Sequence, residues 1–229
     1  MLEIFKHFGE KEFVSLLVDW IIQHGGIYLL MFIIFAETGL FAGFFLPGDS
    51  LLFVAGIYAT QFGESFFGAH YLIVMFVISI AAVIGNIVGY WFGKQGGPLL
   101  YTRKDSFFFK KKYLKTAQKF FNENGSTAII LGRFVPIVRT FAPIVAGIVQ
   151  VDYKKFVKDS IIGAFAWVFS MMLAGKFLQT LIWDKFQIDL KHHIEKIALG
   201  IIIVTTAPVI YKFIKETRKA KHEEEQEAI

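Results

Sequence analysis

Residues 70–93 read HYLIVMFVISIAAVIGNIVGYWFG, with no Asp, Glu, Lys or Arg among them. A helix rises about 1.5 Å per residue, so this stretch is long enough to cross a hydrocarbon core of about 30 Å. It predicts a spanning helix, and composition agrees: 55% of the 229 residues are hydrophobic and 17% aromatic, with a mean hydropathy of +0.54. That is more apolar surface than one soluble core requires, and a lipid-facing surface accounts for it.

Residues 159–182 and 196–214 read the same way, each bounded by charge, with Trp167 and Trp183 as interfacial anchors and Pro208 as a kink in the second. Residues 1–25 mix Glu3, Glu10 and Glu12 with Lys6 and Lys11 and show no cleavage site after an apolar run, so they are expected to be retained as an interfacial segment. Residues 215–229 turn from basic to acidic and predict a frayed tail.

Two other apolar stretches do not read as straight spans. Residues 26–60, GIYLLMFIIFAETGLFAGFFLPGDSLLFVAGIYAT, are too long for one crossing and contain Glu37, Pro47, Gly48 and Asp49. Residues 126–150, STAIILGRFVPIVRTFAPIVAGIVQ, carry Arg133, Pro136, Arg139 and Pro143. Proline removes a helical donor, so Pro47 with Gly48, and Pro136 with Pro143, are read as hairpin-breaking positions. Broken hairpins that dip into the membrane fit both stretches.

Charge supports the second hairpin. Lys94, Arg103, Lys104, Lys110, Lys111, Lys112, Lys115 and Lys119 precede it, Lys154, Lys155 and Lys158 follow it, and Lys215, Arg218, Lys219 and Lys221 close the chain. Only if residues 126–150 enter and leave by one face do all three clusters, and the C-terminus, lie on the cytoplasmic side. Phe109, Tyr113, Ala117 and Phe120 share one face of the intervening basic segment, as in an interfacial helix or a solvated helix packed on its own protein. Both hairpins end in VAGI, at residues 54–57 and 145–148. The expected fold is therefore an all-α integral membrane protein with two inverted re-entrant hairpins, each followed by a spanning helix, plus a C-terminal spanning helix.

Chemistry is expected at the charges inside the apolar segments. A buried charge costs about 2.5–3.5 kcal/mol on insertion scales, so Glu37, Asp49, Arg133 and Arg139 must be paired, neutralised or hydrated. Arg133 and Arg139 would point about 240° apart on an unbroken helix, whereas a bend at Pro136 lets both fork onto the oxygens of one lipid phosphate. Glu37 and Asp49 meet only in a hairpin, where two carboxylates can exchange a proton. Pro-Gly-Asp-Ser before an apolar run is equally the pattern of a capped helix start, which leaves a purely structural Asp49 open.

Other chemistries find little support. There is no cysteine, and His7, His24, His70, His192, His193 and His222 lie at segment ends, with the adjacent pair on different helix faces. No metal and no cofactor are expected. GKQGGP at residues 93–98 lacks a strand-loop-helix context, Asn124-Gly125-Ser126 follows a cytoplasmic cluster, and no basic face is large enough for nucleic acid.

Residues 26–180 resemble the DedA membrane proteins, also called the SNARE-associated or VTT-domain family. The motifs are E37TGLFAGFFLP47GD49SLLFVAG, I84GNIVGYWFGKQGG97 and R133FVP136IVR139TFAP143IVAG147, with Gly163, Trp167 and Gly175 in the next helix. The chain departs from the family at Asn86, where an Asp is usual, and at Lys94. The resemblance implies a bacterial inner-membrane protein, not an enzyme, that returns undecaprenyl phosphate or moves phosphatidylethanolamine between leaflets using the proton motive force. It implies Glu37 and Asp49 in proton coupling and Arg133 and Arg139 in phosphate binding; self-association stays open. Two other readings remain: a proton-coupled antiporter of small cations or drugs, and a polyprenyl-pyrophosphate phosphatase, for which no hairpin histidine is present.

Overall fold

Seven helices account for nearly all of the residues that the computed structural model describes, which are 26–40, 48–65, 67–102, 111–187, 190, 197 and 200. They are α1 (Gly26–Gly39), α2 (Gly48–Ile57), α3 (Ala59–Ser65), α4 (Tyr71–Thr102), α5 (Lys111–Gly132), α6 (Pro136–Ile148) and α7 (Tyr153–Phe186). No strand occurs among the described residues. The expected segments 1–25, 196–214 and 215–229, and Pro47 and Pro208, lie outside them, apart from single positions.

Two helices are long and apolar enough to cross a membrane, Tyr71–Gly97 within α4 and Tyr153–Phe186. Both run beyond their sequence limits of 70–93 and 159–182. Glycine and lysine after residue 93 do not stop α4, because Gly93 and Gly97 are where α6 packs against it. α7 begins six residues early because the side chain of Asp152 caps it, accepting a hydrogen bond from the Lys155 N–H at 2.8 Å. Each long helix turns large apolar side chains outward, Leu72, Ile73, Phe76, Ile80 and Ile84 on α4 and Ile161, Ile162, Leu173 and Phe177 on α7. A face of that kind on both helices matches hydrocarbon rather than water.

The hairpin positions behave unequally. The break between α5 and α6 falls at residues 133–135, and Pro136 is the first residue of α6, where a missing N–H costs nothing. Gly48 opens α2. Pro143, however, does not break its helix: α6 continues through it to Ile148. The hydrogen bond it removes is outweighed by close packing on α4, where Pro143 touches Gly89 and Ile144 backs onto Gly93. Gly125 (φ 50°, ψ −126°) interrupts α5 and separates the basic segment from the arm that leads to Arg133. That backbone conformation is open to glycine and strained for other residues.

Packing follows a two-fold exchange. α1 packs on α4 as α5 packs on α7, while α2 crosses to α7 as α6 crosses to α4. The two VAGI glycines are the crossing points. Gly56 lies against the Met172 backbone with Gly175 returning the contact at Phe53, and Gly147 lies against the Tyr90 backbone with Gly93 returning it at Ile144. Small residues there let helix backbones touch, the usual way apolar helices associate where hydrophobic burial gives no drive. Lys176 stands over the Tyr71 ring at 3.9 Å, Phe165 meets Phe76 at 5.3 Å, and Phe156 stacks on Tyr90 at 4.7 Å, so α4 and α7 are antiparallel.

Candidate functional site

Both helix breaks deliver charge to one buried place. Glu37 lies in the last turn of α1, Asp49 in the first turn of α2, Arg133 between α5 and α6, and Arg139 in the first turn of α6. Each is at most 9% exposed, so the four form an ionic centre inside the helix bundle.

Arg139 is its hub. One terminal nitrogen donates to Oδ1 of Asp49 and the other to Oε1 of Glu37. Its guanidinium carbon also stands 4.3 Å from the centre of the Trp167 ring, and the indole N–H of Trp167 donates to Asp49 Oδ1 at 2.9 Å. A planar fork with several donors is the side chain suited to bridging two carboxylates while stacking on an aromatic face. Asp49 is thus bound from across the bundle by groups 90 and 118 positions away. The second oxygen of Glu37 lies against Gly48, where any Cβ would overlap it.

Trp167 corrects the sequence reading. It was expected at the interface, but it is fully buried near the middle of α7, because its ring packs in the core and its N–H has a carboxylate to reach. Trp183 is 46% exposed. Trp167→Phe should keep the packing and lose the bond to Asp49, costing about 1.5–3 kcal/mol as expected for a hydrogen bond to a charged group. The shift of the unfolding midpoint in detergent measures it.

Arg133 is buried in this centre but makes no ion pair within it. It is 2% exposed, its Nη1 has no hydrogen-bond partner, and among the described residues no ion pair includes it. The side chain runs past Gly163 of α7; its Cγ is 3.1 Å from where a Cβ there would be. Asn86, Asp159 and Ser160 are also buried and also carry unpartnered polar atoms. An orphaned buried polar group costs about 1–3 kcal/mol, so water or a ligand must satisfy several of these. The sequence reading did not single out Asp159 or Ser160, since Asp159 sits beside Lys158 at the edge of an expected span.

The fold and site define an all-helical membrane protein with a buried, paired ionic centre. The VTT domain matches residues 46–177. The chain belongs to this family, the DedA membrane proteins. It is 38% identical to Protein DedA of Escherichia coli K12 over 206 residues, covering 89% of this chain and 90% of that one. An uncharacterized membrane protein of Mycobacterium leprae is 34% identical, with 83% and 82% covered. The inner membrane protein YqjA of Escherichia coli K12 is 28% identical, with 67% and 68% covered. No solved structure matches. Among the described residues no group of His, Cys, Asp or Glu is arranged to hold a metal ion.

Proposed function

We propose that this protein moves an anionic phospho-lipid between the leaflets of a bacterial inner membrane, driven by protons, with undecaprenyl phosphate as the cargo ahead of an ordinary phospholipid. The carrying observation is the unequal state of the two arginines: Arg139 is held by Glu37 and Asp49, while Arg133 keeps a buried donor unused. In this reading Arg133 receives the lipid phosphate first. Protonating Glu37 or Asp49 removes the charge that holds Arg139, and the released guanidinium joins Arg133 on the phosphate. Proton and anion then bind cooperatively, which is the differential affinity that alternating access requires.

The hairpins are the moving parts in this mechanism. α1 has 14 residues, α2 has 10 and α6 has 13, so at about 1.5 Å per residue each is about 15–21 Å long and too short to cross alone. In this reading they enter and return and the two halves are inverted repeats around the ionic centre, which the opposed directions of α4 and α7 support. The C-terminus is placed in the cytoplasm on the charge argument. No covalent step is needed. Cation antiport is the weaker reading, because both carboxylates would have to give up Arg139 to hold a cargo cation.

The test is lipid exposure by the full-length protein in liposomes with an imposed proton gradient, using polyprenyl phosphate. Arg133→Ala is expected to reduce the rate by at least about tenfold, as for losing a charge-assisted phosphate contact. Glu37→Gln should abolish dependence on the gradient. Wild-type rates in both variants at equal abundance would sink the proposal.

A further inference from the structure

The first turns of α7 carry a groove lined by Tyr153, Lys154, Val157, Lys158, Ile161 and Ile162, with a volume of about 550 Å³. Helical spacing explains it. Positions 154, 158 and 161 fall on one face, with 153 and 157 on one flank and 162 on the other. Lys154 and Lys158 are exposed, stand one turn or about 6 Å apart, and enter no ion pair among the described residues. The nearest acids on α7 are committed elsewhere: Asp152 caps the helix at the Lys155 N–H, and Asp159 is buried. The groove thus joins two uncompensated ammoniums to an apolar wall.

Aromatic residues around the groove set its depth in the membrane. The rings of Tyr90 and Tyr153 are 5.5 Å apart, so the first turn of α7 is level with Tyr90 of α4. Trp91 and Phe92, the next residues of α4, are exposed, as is Tyr153. Exposed aromatic side chains at one level of two long apolar helices mark the headgroup region. Lys154 therefore lies among headgroups. Lys158, one turn deeper, reaches them because helical side chains slant toward the helix N-terminus, which here is the headgroup end. Ile161 and Ile162, exposed and about one turn deeper still, lie at the level of acyl chains.

We propose that this groove holds an anionic phospholipid of the surrounding leaflet, its phosphate between Lys154 and Lys158 and the upper part of one acyl chain along Val157, Ile161 and Ile162. This lipid is a resident of the lipid-facing surface rather than cargo. Its site shares no residue with the buried ionic centre and stands whether or not that centre moves lipid. A zwitterionic headgroup suits the groove less, because it brings a cation of its own to the two ammoniums. A second copy of the chain also suits it less, since a two-fold contact would set the lysine pair of one copy beside the same pair of the other.

The experiment titrates the full-length protein in detergent with phosphatidylglycerol and, separately, with phosphatidylcholine of the same acyl chains, counting bound lipid by native mass spectrometry. Each lysine should favour phosphatidylglycerol by about fivefold at low salt, and the pair by about 25-fold. Lys154→Gln with Lys158→Gln should bring the two lipids to equal affinity. Lys119→Gln with Lys185→Gln removes the same charge from exposed positions elsewhere and should keep the preference. A wild type without preference overturns the proposal, as does a preference that survives the first pair of substitutions or is lost equally with the second. Crosslinking of the same samples tests the other occupant: if the Lys154 and Lys158 substitutions change the dimer fraction and not the bound lipid, the groove belongs to a second copy and the proposal falls. Should the double variant not fold, Lys158→Gln alone must lose about fivefold. The readout is binding, so its failure leaves the lipid-moving reading standing.

Discussion

Arg139→Leu is expected to cost about 3–5 kcal/mol, because it leaves Glu37 and Asp49 buried beside each other with no cation between them. Against a total stability of about 5–15 kcal/mol, that is a large fraction, and it should appear as a strongly lowered unfolding midpoint in detergent. The loss belongs to the stranded carboxylates rather than to the arginine. The triple variant Arg139→Leu, Glu37→Gln, Asp49→Asn should therefore recover most of the stability, since neither residue 37 nor residue 49 is then a stranded carboxylate. It should not recover lipid movement. A thermal unfolding series and a transport assay on the same preparations separate the two roles; a triple variant no more stable than the single would show that Arg139 supports the fold by packing alone.

Gly147→Val is expected to have the next largest effect. A Cβ on Gly147 would lie 2.8 Å from the Lys94 backbone nitrogen and 2.9 Å from the Tyr90 carbonyl carbon, inside normal contact and against backbone that cannot rotate away. Overpacking of this kind typically costs about 1–3 kcal/mol, and valine adds two methyl groups beyond the Cβ. Separation of α6 from α4 would also carry Arg139 away from Glu37 and Asp49. Gly96, whose Cβ would meet nothing within 4 Å, is the control: Gly96→Ala should be neutral or slightly stabilising, since alanine favours a helix by up to about 1 kcal/mol. Comparable unfolding midpoints for Gly147→Val and Gly96→Ala would remove the close crossing from the account.

The two predictions concern different layers of one design. The glycine crossings bring α2 onto α7 and α6 onto α4, and that exchange sets Arg139 against Glu37 and Asp49. Within each half alone, Glu37 and Asp49 or Arg133 and Arg139 would be like charges in a membrane segment. Across the halves, Arg139 answers both carboxylates.

Much of this is readable along the chain. The length of apolar residues 70–93 predicts a spanning helix, because crossing a bilayer is a constraint on one segment at a time. The same holds for the break at Pro136, where a local rule about the missing N–H decides, and for the four buried charges, conspicuous because hydrocarbon penalises them wherever they fall. The VAGI echo signalled two related halves without saying what the glycines touch. Pro143 in an unbroken helix, Trp167 inside the core and the pairing of Arg139 with residues 90 and 102 positions away were not readable. Each depends on which faces of distant helices meet. By itself, then, the sequence determined that this is a membrane protein with costly charges at two helix breaks. Only the tertiary structure decided that one arginine is held by both carboxylates while the other is buried with no ion pair among the described residues, because pairing between segments is a property of their packing.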